Sequence, residues 1–282
     1  VPAALSVANS APGAADILWN ISSADTDFSE LGYVLQPLEH GVMRDGTWVV
    51  IVGNGYESTA KKAQLFIINA LTGALVKKLD TGVGSAGTPN GLGGVRVVRN
   101  DKKQIVAAYA GDLQGNLWKF DLSSDTPTNW VVAFGNNPLY KTAVIEPITA
   151  APTYTLHPSG GVMVLFGTGK LYEIGDEATT TQRALYGVWD MVKLGATSTD
   201  AATRITVPET IVAQALSSTA LTGTTGTFYD LTVTPVDYEV KSVTETRPAY
   251  MTKRGWRLPL TVGSGQRLID NPEMAGGLAF MQ

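Results

Sequence analysis

Three segments of the chain repeat one design at nearly constant spacing. Each is an apolar strand ending in a glycine-containing turn, followed by a second strand that closes on Asn or Asp. In the first, Trp48-Val49-Val50-Ile51-Val52-Gly53-Asn54-Gly55 is answered by Leu65-Phe66-Ile67-Ile68-Asn69. In the second, Val106 to Ala110 with Gly111-Asp112-Leu113 is answered by Leu117-Trp118-Lys119-Phe120-Asp121, and in the third, Val162 to Phe166 with Gly167-Thr168-Gly169 is answered by Leu185-Tyr186-Gly187-Val188-Trp189-Asp190. Gly53, Gly111 and Gly167 lie 58 and then 56 positions apart, a period that suits the four-stranded blades of radially repeated sheets. A unit of this kind cannot cover its own apolar faces and must stack on its neighbours. The repeat therefore predicts an all-β fold, a β-propeller, and at this period the chain holds roughly four to five blades.

Composition supports that reading. Charged residues make up 16% of the chain and 30 of its 282 residues are glycine, as expected of many short strands joined by tight turns. The net charge of -4 leaves no basic face, which argues against a nucleic-acid partner. The absence of cysteine fits a cytosolic chain and equally an exported one stabilised by a large sheet core. No apolar run approaches the length of a membrane span, so no membrane insertion is expected. Val1 to Leu5 has neither a basic n-region nor a long apolar core. Gly276 to Gln282 reads as the opening of a strand that stops before a turn, so the sequence is expected to be a piece of a longer protein, truncated at its C-terminus.

Residues 1–15 read as an N-terminal extension or linker and residues 16–282 as the propeller domain. The stretch 195–227, rich in Thr, Ala and Ser, reads as an insertion. Within it Pro208-Glu209-Thr210-Ile211-Val212-Ala213-Gln214-Ala215-Leu216 has Pro at a plausible first helical position and apolar residues at helical spacing, which predicts a short surface helix.

Few chemical motifs survive inspection. Gly82-Val83-Gly84-Ser85-Ala86-Gly87 spells a dinucleotide fingerprint, but Pro89, Gly91, Gly93 and Gly94 follow where a helix would have to begin. The segment reads as a loop. Asp25, Asp27 and Ser29 match the first ligand spacings of a calcium loop, yet Glu30 stands where Gly is needed and Gln36 where a bidentate Glu belongs. His40 and His157 are far apart in sequence, and neither a phosphate-cradling GxxxxGK[ST] nor a GxSxG elbow is present. Trp48, Trp118, Trp189 and Trp256 recur near strand ends and read as packing between blades rather than as a stacking platform. Asp112, placed before a tight turn, reads as a turn organiser. No catalytic, cofactor-binding or metal-binding residue is assigned.

Taken in order, these segments resemble the C-terminal propeller of the PilY/PilC family of type IV pilus tip proteins. Trp48 to Tyr56 and the run Tyr109-Ala110-Gly111-Asp112-Leu113-Gln114-Gly115-Asn116-Leu117-Trp118-Lys119-Phe120-Asp121-Leu122 carry the likeness. Phe166 to Lys170, Leu185 to Asp190, Lys253 to Trp256 and Gly265-Gln266-Arg267-Leu268 continue it, so that it runs from about Trp19 to the last residue. The resemblance implies a modified, roughly seven-blade plan, of which this chain is a large part. It also implies a non-enzymatic pilus assembly factor and tip adhesin that supports pilus extension, twitching motility and attachment. Such proteins are exported through the periplasm to the pilus tip and cell surface, with minor pilins and a host-cell or surface receptor as partners. Two rival readings are a quinoprotein-like dehydrogenase, because Leu65 to Gly73 resembles the strand-turn repeat of those propellers, and an envelope scaffold without adhesive role. Many family members wrap calcium just before the Tyr-Ala-Gly-Asp run. The matching positions here are Val98, Asn100, Lys102 and Val106; two valines bring no side-chain oxygen and the lysine repels a cation. The calcium site is expected to be lost, leaving Asn100 to Lys103 as a polar hairpin turn. The Arg-Gly-Asp tripeptide is also missing, since Met43-Arg44-Asp45-Gly46 scrambles it.

Overall fold

The computed structural model describes residues 2–6, 13–198, 200–201, 204–205, 211–213, 215–223, 226–234, 254–261, 264–276 and 278–281. Strand β1 (Ala3–Leu5) pairs antiparallel with β2 (Ile17–Asn20). Three larger sheets follow. The first is β3 (Glu39–Val42), β4 (Trp48–Gly53), β5 (Gln64–Asn69) and β6 (Leu75–Asp80), in sequential antiparallel order. The second is β7 (Leu92–Arg99), β8 (Ile105–Asp112), β9 (Asn116–Asp121) and β10 (Val131–Val132), with β11 (Tyr140–Lys141) also pairing β9.

The third sheet begins in the same way, with β12 (Thr153–Leu156), β13 (Val162–Gly167) and β14 (Ala184–Asp190), and then departs from the pattern. β15 (Ile211–Ala213) joins it, a two-stranded ribbon of β16 (Ala215–Gly223) and β17 (Gly226–Thr234) intervenes, and only β18 (Gly255–Pro259) pairs with β14. The order β12-β13-β14-β18-β15 places β15 parallel to β18 at the edge. A last ribbon is β19 (Glu273–Ala275) with β20 (Leu278–Phe280). The expected four to five blades thus become three complete sheets among the described residues, because residues after Asp190 are spent within the third sheet instead of starting a fourth.

The helix expected over 208–216 is corrected where it can be seen: Ile211–Ala213 and Ala215–Gly223 are strands, while 208–210 and 214 lie outside the described residues. β16 and β17 pair in unbroken register from Ala215↔Thr234 to Gly223↔Gly226. The Ser- and Thr-rich run that follows Leu216 suits an antiparallel ribbon, and this preference overrides a helical spacing only a few residues long.

The strands read as continuous apolar runs because both faces of each blade are covered. On β4, Val49 and Ile51 pack with Val95, Val97, Ile105 and Trp118 of the second blade. The alternate residue Val52 turns the other way and packs with Trp19, Ile21 and Phe28 of the lead-in segment. On β8 the same alternation sends Ala108 and Ala110 toward the first blade and Ala107 and Tyr109 toward Val164, Phe166 and Tyr186 of the third. Trp118 is buried between the first and second blades as expected, whereas Trp189 and Trp256 pack with Met163 of their own sheet and Trp48 is exposed at the start of β4.

Candidate functional site

In every blade the second strand ends in glycine and then in one fully buried polar residue: Asn54, Asp112 or Thr168. Each uses a side-chain oxygen in the same way, accepting the backbone N–H of the residue that opens the third strand. Asn54 Oδ1 accepts from Gln64 at 3.0 Å, Asp112 Oδ1 from Asn116 at 2.9 Å and Thr168 Oγ1 from Ala184 at 2.9 Å. This shared bond clamps the mouth of three loops of different length, 55–63, 113–115 and 169–183, which leave the blades at equivalent positions. Because the middle loop is short, the flanking loops meet over it. Tyr56 of the first stacks on Tyr172 of the third, with ring centroids 4.9 Å apart and planes 20° apart.

A third ring completes the cluster. Tyr33 N–H donates to the Tyr56 carbonyl at 2.8 Å, and their rings lie 5.2 Å apart. Beside the rings runs a cleft whose wall includes Leu35, Pro37 and Leu113 together with the glycine backbone at 91, 93 and 94. Leu171 and Ile174 stand exposed on the third loop, and Val144 and Ile145 on the neighbouring segment that leads to the Pro147 carbonyl, which accepts from Gly169 N–H at 2.7 Å. Tyrosines and exposed aliphatic side chains on a framed surface are the composition of a docking face rather than of a reaction centre.

The longest loop is fixed from outside. The Arg267 guanidinium donates to the carbonyls of Lys170 at 3.0 Å, Thr179 at 2.8 Å and Asp176. Inside the loop, Asp176 Oδ2 accepts the N–H groups of Tyr172 at 2.8 Å and Glu173 at 2.9 Å, and Lys170 Nζ bonds Glu173 at 2.7 Å. Tyr172 is therefore held at its backbone on a loop tied to the next structural segment.

The buried carboxylates beneath this face are occupied. Asp112 accepts five hydrogen bonds: Gln114 and Asn116 N–H at Oδ1, and Asn90 Nδ2, Asn116 Nδ2 and Trp118 Nε1, each at 2.8 Å, at Oδ2. Burial pushes its carboxyl above the usual range, opposed by the bonds from Trp118, Asn90 and Asn116. Glu146 accepts from Thr168 Oγ1, Tyr186 Oη and Arg257 Nη2 at 2.9, 3.0 and 3.0 Å. Burial, with the Glu146 charge adding to it, raises the Tyr140 phenol to about 12 and raises Tyr186 as well. These groups organise loop mouths.

None of the four positions matched to a calcium loop carries a carboxylate. Val98 and Val106 are buried in the sheet, and Lys102 is exposed. Asn100 Oδ1 accepts the N–H groups of Lys102 and Gln104, both at 3.0 Å, and its Nδ2 donates to Gln104 Oε1 at 3.0 Å. The segment forms a tight polar turn between β7 and β8, with Lys103 at φ 64°. Among the described residues no group of three or more His, Cys, Asp or Glu side chains is placed to hold a metal ion. Gly82 to Gly87 lies in the connection between β6 and β7, with no helix after it. His157 stacks on Trp189 with ring centroids 4.2 Å apart, while His40 is exposed on β3.

Sequence reasoning missed the tyrosine cluster and the part played by Arg267. The signal was available in the repeat itself, since Tyr56 and Tyr172 each follow a blade glycine by a few residues, in the loops that vary most.

Comparison with known proteins agrees with this architecture. The family model described as the PilY1 beta-propeller domain matches residues 3–225. The type IV pilus biogenesis factor PilY1 of Pseudomonas aeruginosa strain UCBPP-PA14 is 34% identical over 310 residues, covering 96% of this chain and 26% of that protein. A PilY1 homolog of Xylella fastidiosa is 30% identical over 287 residues, covering 94% of this chain and 18% of that protein. The chain thus spans about a quarter or less of the length of these relatives. The crystal structure of the Pseudomonas aeruginosa PilY1 C-terminal domain superposes with a TM-score of 0.80 at 31% identity, covering 95% of this chain and 59% of that one. With the family model matched over most of its length and the sheets stacked as propeller blades, this chain belongs to the PilY1 β-propeller family.

Proposed function

We propose that the chain serves, without catalysis, as the propeller of a type IV pilus biogenesis factor. In this reading it is exported through the periplasm, acts at the pilus tip and cell surface, and supports pilus extension, twitching motility and surface attachment. Its nearest partners are minor pilins, with a host-cell or surface receptor as a further one. The observation that carries the reading is the end of the blades where Tyr33, Tyr56 and Tyr172 cluster beside exposed Leu171 and Ile174. Tyrosine offers large contact area with little side-chain freedom to lose, and a rigid ring of sheets presents it with no need for a catalytic pocket. The buried carboxylates Asp112 and Glu146 are already engaged by donors of the fold, in keeping with a structural rather than a chemical role.

The test is a double substitution, Tyr56→Ser with Tyr172→Ser, in the full-length protein, scored for surface piliation, twitching and co-purification of minor pilins. Loss of all three with an unchanged melting temperature supports the reading. Wild-type piliation and unchanged pilin capture would overturn the assignment of this face.

A further inference from the structure

Tyr109 and Lys119 stand opposite one another on β8 and β9, on the side of the second blade that packs against the third. In the first blade the same two opposed positions hold Ile51 and Ile67, both buried in the core. A lysine therefore stands in a slot that the first blade fills with isoleucine. Its Nζ lies 2.6 Å from Oδ2 of Asp190, the last residue of β14, with side-chain exposures of 5% and 0%. Tyr109 Oη donates to the same oxygen at 2.5 Å, and Val192 N–H donates to the other, Oδ1, at 2.9 Å. The rings of Tyr109 and Phe134 flank the amine, their centroids 5.9 and 5.7 Å from Nζ.

Taking both charges out of water is costly, and a proton passed from the amine to the carboxylate would turn the ion pair into the reacting pair of amide formation, held at a separation that removes the entropy of bringing the two groups together. We propose that Lys119 and Asp190 condense spontaneously into an isopeptide bond that ties the second blade covalently to the third.

The step balances within the protein. The Lys119 ammonium gives a proton to Asp190 Oδ2, and the freed Nζ lone pair attacks Cγ. The carbonyl electron pair moves onto Oδ1, where Val192 N–H receives the developing charge. Nζ gives a second proton to Oδ2, passed along the Tyr109 hydroxyl. The C–Oδ2 bond breaks, Oδ2 departs as water, and the Oδ1 carbonyl re-forms on an amide that keeps one hydrogen on nitrogen. No oxidant, metal or co-reactant enters. Burial and the Asp190 charge push the Tyr109 phenol well above its ordinary value, so it remains a proton-bearing donor throughout. The enclosure that lets the acid and amine coexist also keeps water from reversing the bond. A pilus-tip role is not needed for the argument, although a cross-link between blades would suit a domain under tension.

The experiment is intact-mass spectrometry of the purified chain, after a cooperative melt has shown that it is folded, followed by denaturation and tryptic mapping. The expected mass is that of the sequence less one water, with a branched peptide joining Lys119 to Asp190. Lys119→Arg keeps the charge pair but should carry its full mass. Asp190→Asn should lose one ammonia in place of one water, a readout that a purely structural ion pair would not produce. Tyr109→Phe should slow the appearance of the lighter species after refolding. Folded wild-type chain at full mass with no branched peptide would overturn the proposal.

Discussion

Gly111 has no room for a side chain because Ile148 fills the space where its Cβ would stand, with the Ile148 carbonyl oxygen 2.8 Å from that point. The same approach recurs one blade earlier and one later: Gly53 backs onto the Leu92 and Gly93 backbone, and Gly167 onto Leu268. The glycine repeat that defines the period is thus the line along which each blade receives the lead-in of the next. We expect Gly111→Ala to lose about 1–3 kcal/mol, as overpacking does in other well-filled cores, and Gly111→Val to lose more. Urea denaturation of the purified variants measures this. An alanine variant as stable as the parent would mean that the blades slide apart easily.

Asp112 is the hub of the second loop mouth. Asp112→Ala would strand the Trp118 indole N–H and the side-chain amides of Asn90 and Asn116, all buried or partly so. At about 1–3 kcal/mol for each buried donor left unpaired, the loss should reach at least about 3 kcal/mol. Asp112→Asn keeps the shape but turns an amide N–H₂ toward other donors, and should fall between the two. Thermal melts of the three proteins rank them, and equal losses for Ala and Asn would show that the charge rather than the acceptor count matters.

Much of this fold is legible in the sequence because both faces of each blade are buried. Val49 to Gly53, Val106 to Gly111 and Val162 to Gly167 are apolar without interruption, and the polar residue after each glycine marks the turn. The closing residues are equally plain. Asn69, Asp121 and Asp190 each accept the backbone N–H two positions on, which explains why the third strand always ends on Asn or Asp. The route from Asp190 to Gly255 is not legible, because strand β18 returns to the sheet across a long connection whose local spacing imitates a helix at Pro208 to Leu216. The tyrosine cluster is hidden for a similar reason. Tyr33, Tyr56 and Tyr172 come from three separated segments, and only the closure of the loops at Asn54, Asp112 and Thr168 brings them together.

The β7–β8 turn gives a direct check on ion binding. Asn100 spends its side-chain oxygen on two backbone N–H groups, while Val98 and Val106 face the core. Titration calorimetry with calcium should show no heat of binding at this turn, and the melting temperature should not move with added calcium or chelator, since a bound ion would stabilise the folded state by mass action. A saturable calcium signal abolished by Asn100→Ala would contradict this.

Arg267 should control the third loop without supporting the core. Arg267→Ala removes the donor to the carbonyls of Lys170, Asp176 and Thr179. Amide exchange is expected to rise across residues 170–179 while β13 and β14 stay protected, because local opening draws only on the contacts of the opened segment. Pilin capture should fall with it. Uniform loss of protection across the blade would instead make Arg267 a part of the global fold.

His157 gives the domain an acid sensitivity whose sign can be worked out. It is 7% exposed, its ring stacks on Trp189, and burial holds its imidazole below the ordinary value of 6.5. In the unfolded chain that residue takes up a proton near its ordinary pKa, whereas in the folded chain it does so only at lower pH. The unfolded state therefore binds more protons in the window between the two. Stability contributed by the neutral ring is complete above that window and is lost as pH falls through it toward the folded-state value. His157→Phe keeps an aromatic ring on Trp189 and carries no proton. The difference in melting temperature between neutral and mildly acidic buffer should shrink in this variant. If parent and variant lose the same stability on acidification, the loss arises elsewhere and the imidazole is accessible to protons in the folded state.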